Sequence, residues 1–257
     1  MRFIGVDLGW SSGASGLCCL EWRSGKLVLL DLQRMLAIAD ILAWIDSWLP
    51  PDQPGMVAVD APTLISNATG MRLCDRLAHK YFGKYHAGCY PANLGSTFAQ
   101  RTLTFGLSLE ERGFHHAPTI QPKKLGRWQI EAFPHPAIVH LFNLPRILKY
   151  KKGTLAERRP ELARLRHYIH EFLPLHDPPL DVSLGTIPEI PLKGAELKAV
   201  EDQLDSLICA YIAAHWWHWG IERNLVLGDS HRDRFTNRTT GYIVVPMPDK
   251  KVLSFEC

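Results

Sequence analysis

RFIGVDLGWSSGASGLCCLEW, residues 2–22, sets two apolar runs either side of a glycine-rich turn, and the first run ends in Asp7. Carboxylates disfavour strands. An acid that closes a strand beside such a turn either caps the turn or binds something. Residues 2–8, 15–22 and 26–32 read as three successive strands with short connections, which implies an antiparallel meander.

Working outward, Leu36, Ile38, Ile41, Leu42, Ile45 and Trp48 give a helix over about 35–49 an apolar face, and the proline-rich PPDQPG stops it. MVAVDAP (56–62) is a short apolar strand ending at Asp60, covered on both faces. Helices are expected at 70–83, near 96–112, at about 160–173 and, longest, at 194–220. GRWQIEAFP (126–134) reads as a strand that carries Glu131, and GYIVVP (241–246) as a final strand. Three antiparallel strands followed by helix-linked parallel ones make a mixed α/β sheet with helices on both faces. By analogy this is the ribonuclease H-like architecture, here one domain over 1–257 with insertions at about 84–125 and 144–193.

The chain of 257 residues is 46% hydrophobic, enough for a well-packed core. No apolar stretch approaches the roughly 18 residues of a membrane span. The N-terminus lacks a signal peptide's apolar core, so the expected compartment is the cytoplasm. The six cysteines form no CxxC pair and read as small buried hydrophobes rather than zinc ligands. A net charge of +3 points to no partner, but residues 146–166 carry eight Lys or Arg against two Glu.

Asp7 and Asp60 end predicted strands, Glu131 lies in another, and helical spacing puts Glu201, Asp202 and Asp205 along one flank of the longest helix. Carboxylates gathered this way repel one another unless cations neutralise them. Hard oxygen ligands suit Mg²⁺ or Mn²⁺. Two such ions about 3.5–4 Å apart activate water and stabilise a leaving oxygen in phosphodiester cleavage. Singly, each acid reads as a turn cap or a solvated face; their joint placement favours the metal site.

IGVDLG, AVDAP, MRLCDRLAHKYFG, IEAFPHP, KKGTLAERRPEL, EDQLDSLICAYIAA and TGYIVVP resemble, in order and spacing, the motif series of the predicted ribonuclease H-like nucleases (domain of unknown function family 429). The resemblance implies a nuclease-like site of Asp7, Asp60, Glu131, Asp202 and Asp205, with Asp7, Asp60, Glu131 and Asp205 as metal ligands. DQLDSLICA is also similar to the last helix of Holliday-junction resolvases, where two acids three apart bind metal. The expected partner is nucleic acid, with DNA and RNA both open.

The expected phosphate contacts are Lys151 and Lys152 with Arg158 or Arg159, and Arg72 with Arg76, one helical turn apart. For the arginine pair a surface ion-pair cluster is the equal alternative. The aromatic run HWWHWG (215–220) reads first as burial or a homo-oligomer contact and only then as base stacking. Two alternatives stand beside the nuclease: a small ATP-binding kinase of the actin-like fold, and a ribonuclease H-like module that binds without catalysis. The kinase needs a second Asp-x-Gly phosphate loop, whereas the second strand here reads VDAP.

Overall fold

A computed structural model describes residues 1–10, 13–182, 187–228 and 240–248; Ser11 and Ser12 of the opening turn and Cys257 lie outside the described residues. In chain order the elements are β1 (Arg2–Asp7), β2 (Ser15–Arg23), β3 (Lys26–Met35), α1 (Ile38–Trp48), β4 (Gly55–Val59), α2 (Leu73–Phe82), α3 (Ala99–Glu111), β5 (His115–His116), β6 (Arg127–Glu131), α4 (Pro134–Leu141), α5 (Leu155–Phe172), β7 (Leu180–Asp181), α6 (Gly194–Trp219), β8 (Asn224–Gly228) and β9 (Tyr242–Pro246). The main sheet has the order β5-β6-β4-β1-β2-β3-β7. β1, β2 and β3 form the expected antiparallel meander, and β1, β4 and β6 run parallel. This is the ribonuclease H-like mixed sheet.

Period-two alternation along the strands divides the core in two. Phe3 of β1 and Met56 and Ala58 of β4 pack in one cluster with α4, α5 and α6. Ile4, Val6, Val57 and Val59 pack on the opposite face with α1 and α3. Helix α6 lies directly on the sheet because glycines admit it: a Cβ at Gly5 would stand 1.9 Å from the Ser206 carbonyl oxygen, and one at Gly16 1.8 Å from that of Asp202. Gly16 pairs across the ladder with Asp7. The same close approach therefore sets the middle of α6 against the end of β1.

Several elements depart from the sequence expectation, among them the short strands β5 and β7 at the two edges of the main sheet. Residues 134–141, expected to follow a strand ending at 134, form α4, with Pro134 and Pro136 in a first turn that has no use for their missing N–H groups. Helix α5 begins at Leu155 rather than near 160, because Thr154 and Glu157 cap it reciprocally and Pro160 is tolerated close to its start. β9 belongs to a separate two-stranded sheet with β8, which was not anticipated. The aromatic run closes α6 in the interior: Trp216 donates to the Ala117 carbonyl at 3.0 Å, and Trp217 packs between Phe3 and Trp22. Among the described residues there is one such mixed sheet, not the duplicated core of the kinase alternative. No described helix is long and apolar enough to cross a membrane.

Candidate active site

β1, β4 and β6 lie side by side, and their carboxyl ends form one edge of the sheet. The Asp60 N–H donates to the Val6 carbonyl at 2.8 Å and the Ala132 N–H to the Val59 carbonyl at 2.9 Å, extending the ladder just past the strand ends. Asp7 and Asp60 share the strand parity of Phe3, Met56 and Ala58, so both turn toward α6. There they meet Asp205, which is fully buried. All three are close enough to act on one another. Burial raises the Asp7 carboxyl well above its ordinary range; Lys151 opposes the rise, while Asp205 and Asp60 add to it. Burial likewise carries the Asp60 carboxyl up to about 7, with Lys151 again opposing and Asp205 adding.

Lys151 stands among these acids. Its Nζ lies 2.6 Å from Asp205 Oδ2, and the buried Tyr150 hydroxyl donates to Asp205 Oδ1 at 2.7 Å. Burial works against the Lys151 ammonium, but Asp205, Asp7 and Asp60 more than offset it and raise its pKa.

Glu131 is placed differently. Its register partner is Val59, not Asp60, so parity sends it to the other side of the sheet edge. There Arg72 holds it with two N–H donors, each at 2.7 Å, and the same guanidinium grips Asp75 at 2.8 Å. Asp202 turns toward β3, where Arg34 Nε stands 2.9 Å away and Lys198 Nζ 2.6 Å. The structure thus brings Asp7, Asp60 and Asp205 together, gives Glu131 to Arg72, and gives Asp202 to Arg34 and Lys198.

A cavity of about 1140 Å³ opens over this edge, lined by Asp7, Asp60, Glu131, His135 and Lys151 and walled by residues 144–149. Of the six basic residues expected at phosphate, Lys151, Lys152 and Arg72 line it. Arg158 instead pairs with Glu201 at 2.8 Å, Arg159 donates to the Pro191 carbonyl, and Arg76 donates to the Met71 carbonyl. Lys152 is exposed, and its Nζ stands 5.7 Å from the Tyr90 ring. At the cavity mouth Trp10 and Tyr90 meet edge to face at 5.5 Å and remain 42% and 63% exposed.

Sequence reasoning missed Tyr150, Trp10 and Tyr90. Trp10 follows Asp7 by three residues in the opening stretch, and Tyr150 directly precedes Lys151. Trp10 sat in a turn read for its glycines, and Tyr150 in a stretch read for its charge.

Among the described residues, no three His, Cys, Asp or Glu side chains stand arranged as a metal cage. The donor set still fits a hard divalent cation at Asp7 and Asp60. Neither carboxylate takes a side-chain hydrogen bond from a described residue, both line the cavity, and oxygen donors are what Mg²⁺ and Mn²⁺ require. The four-ligand, two-ion arrangement is not preformed, because Arg72 engages Glu131 and Lys151 engages Asp205.

Sheet topology and the acid-lined carboxyl edge define a ribonuclease H-like α/β protein. The chain belongs to the family described as "Protein of unknown function (DUF429)", whose model matches residues 5–229. Among solved structures it is similar to T. thermophilus RuvC in complex with Holliday junction substrate, at 13% identity over 82% of this chain and 96% of that one, with a TM-score of 0.33. No curated protein matches the chain.

Proposed function

We propose that the protein is a divalent-metal-dependent phosphodiesterase acting on nucleic acid. One observation carries this reading: Asp7 and Asp60, on adjacent parallel strand ends, face a large cavity, and neither carboxylate accepts a hydrogen bond from a described residue. Half-buried carboxylates set side by side repel one another, and their arrangement is understandable as the holder of a cation. When bound, that cation supplies Lewis-acid activation of water and neutralisation of developing negative charge.

The chain's own residues supply the rest. Asp7 and Asp60 hold the ion. Asp205, held by Tyr150 and paired with Lys151, anchors that ammonium beside the two acids. Arg146, Lys149 and Lys152 on the cavity wall attract a phosphate backbone, and the exposed faces of Trp10 and Tyr90 suit stacking on nucleobases.

The test is a panel of end-labelled single-stranded, duplex and branched DNA and RNA, incubated with Mg²⁺ or Mn²⁺. Cleavage is expected with wild type and not with Asp7→Asn. An absence of cleavage across the panel, together with no Mn²⁺ binding, overturns the reading.

A further inference from the structure

We propose that Lys151 is a resident cation of the acid site: its ammonium permanently neutralises Asp205, so the site takes one divalent ion, at Asp7 and Asp60, in place of two. This rests on the metal-dependent reading above and specifies its stoichiometry.

The first argument is occupancy. Both carboxylate oxygens of Asp205 face a partner: Oδ1 accepts from the Tyr150 hydroxyl at 2.7 Å, and Oδ2 lies 2.6 Å from Lys151 Nζ in an ion pair without hydrogen-bond alignment. Asp205 has no solvent exposure. A second divalent ion at Asp205 would stand against the Lys151 ammonium, a like charge, inside the protein.

The second argument is that the backbone carrying Lys151 is clamped. Tyr150 is fully buried in the core shared by α4, α5 and α6, and its carbonyl accepts from Arg158 Nε at 2.9 Å. Arg158 is itself pinned to Glu201. The Lys149 N–H donates to Glu161 at 3.1 Å. Two residues after Lys151, Gly153 has φ +111°, a conformation few other residues adopt, and leads into the Thr154 cap of α5. Lys151 is therefore presented by a braced turn.

The third argument is contrast with its neighbour. Lys152, one position on, makes no ion pair with a described residue and has its Nζ 5.7 Å from the exposed Tyr90 ring at the cavity mouth. The two lysines have different tasks: Lys151 balances the acids, and Lys152 is free to meet a polyanion. Charge arithmetic agrees. Three clustered carboxylates carry three negative charges; one ammonium and one divalent cation neutralise them in full, whereas two divalent cations beside Lys151 would leave an excess of two positive charges.

The experiment is Mn²⁺ binding to the full chain, by calorimetry and by electron paramagnetic resonance of free Mn²⁺, without substrate. Wild type is expected to bind one ion. Lys151→Met is expected to bind a second, because Asp205 is left needing a cation. Should Lys151→Met not fold, Asp205→Asn decides: it is expected still to bind one ion per chain, whereas removal of a true ligand would cost the ion. Two ions bound by wild type, a folded Lys151→Met that binds one as wild type does, or loss of the ion in Asp205→Asn would each overturn the proposal. Wild type that binds no Mn²⁺ fails the metal-dependent reading itself, and this inference with it.

Discussion

Two charge clusters stand side by side at the carboxyl edge of the sheet, one buried and one half-buried, and they are satisfied to different degrees. In the first, Arg72 spends its fork on Glu131 and Asp75 and gives a further N–H to the Leu64 carbonyl; Asp75 also accepts the backbone N–H groups of Arg72 and Ala92. In the second, Lys151 and Tyr150 serve Asp205, while the carboxylates of Asp7 and Asp60 accept no hydrogen bond from a described side chain or backbone group. A cluster whose donors and acceptors are matched stabilises the fold. One left short of donors beside a cavity is built for an occupant.

The largest effect tests the matched cluster. Arg72→Met leaves Glu131 and Asp75 buried without their counter-ion and is expected to cost about 3–5 kcal/mol, since removing one partner of a buried pair strands the other. Urea denaturation measures it. A loss under about 1 kcal/mol would break the comparison, because the Arg72 cluster would then be no better matched than its neighbour.

Next comes the contact that places Asp205 beside Asp7. Gly16→Ala puts a methyl into the Asp202 carbonyl, which is backbone and cannot turn aside. Overpacking costs typically about 1–3 kcal/mol, and here it also pushes α6 away from β1. Both stability and Mn²⁺ affinity are expected to fall. A variant with native melting temperature and native Mn²⁺ affinity would show that the glycines do not set the site.

These particulars explain what was legible in the sequence. The meander and the parallel strands were readable because their apolar runs are short, regular and punctuated by Gly and Pro. Asp7 and Asp60 were readable because each terminates such a run. The position of Glu131 was not, because one residue of register, Val59 rather than Asp60 opposite it, decides which face it takes. The fates of Asp202, Arg158 and Arg72 were hidden for another reason: their partners are Arg34, Glu201 and Glu131, each far away in sequence. Sequence spacing shows that a charge exists, and tertiary pairing shows whether it is spent. The β8–β9 sheet also went unread, since a two-stranded ribbon has little pattern beyond two apolar pentamers.

Smaller, and specific to the unsatisfied cluster, is a pH effect in metal-free buffer. Burial carries the folded Asp60 carboxyl up to about 7, against about 4 in the unfolded chain. The folded state then keeps a proton that the unfolded state has released. This group's contribution is full below pH about 4 and is lost as pH rises through about 7. Asp60→Asn removes that dependence. Its melting temperature relative to wild type should therefore climb between pH 4 and pH 8. His135 and His215, both lowered to about 4 by burial, produce the opposite slope in both proteins and cancel in the difference. A difference that stays flat with pH would mean that Asp60 is already satisfied.

The smallest effect on stability, and the one that separates the two lysines, belongs to Lys152→Ala. Lys152 is exposed, makes no ion pair with a described residue and stands over Tyr90. Its removal is expected to change stability by no more than about 0.5 kcal/mol, as for an ordinary surface position. Nucleic-acid binding should respond instead. A lysine that neutralises one phosphate contributes about 0.7–0.9 to the slope of log affinity against log salt, the lower figure for single strands. Lys152→Ala should flatten the slope by that amount and weaken binding at low salt, while Mn²⁺ binding stays as in wild type. Arg158→Ala provides the opposite control: that arginine is engaged by Glu201 and the Tyr150 carbonyl, so its loss should lower stability and leave the slope alone. If Arg158→Ala flattened the slope and Lys152→Ala did not, the phosphate track would run along α5 and outside the cavity, and the basic stretch would serve a face other than the one the acids mark.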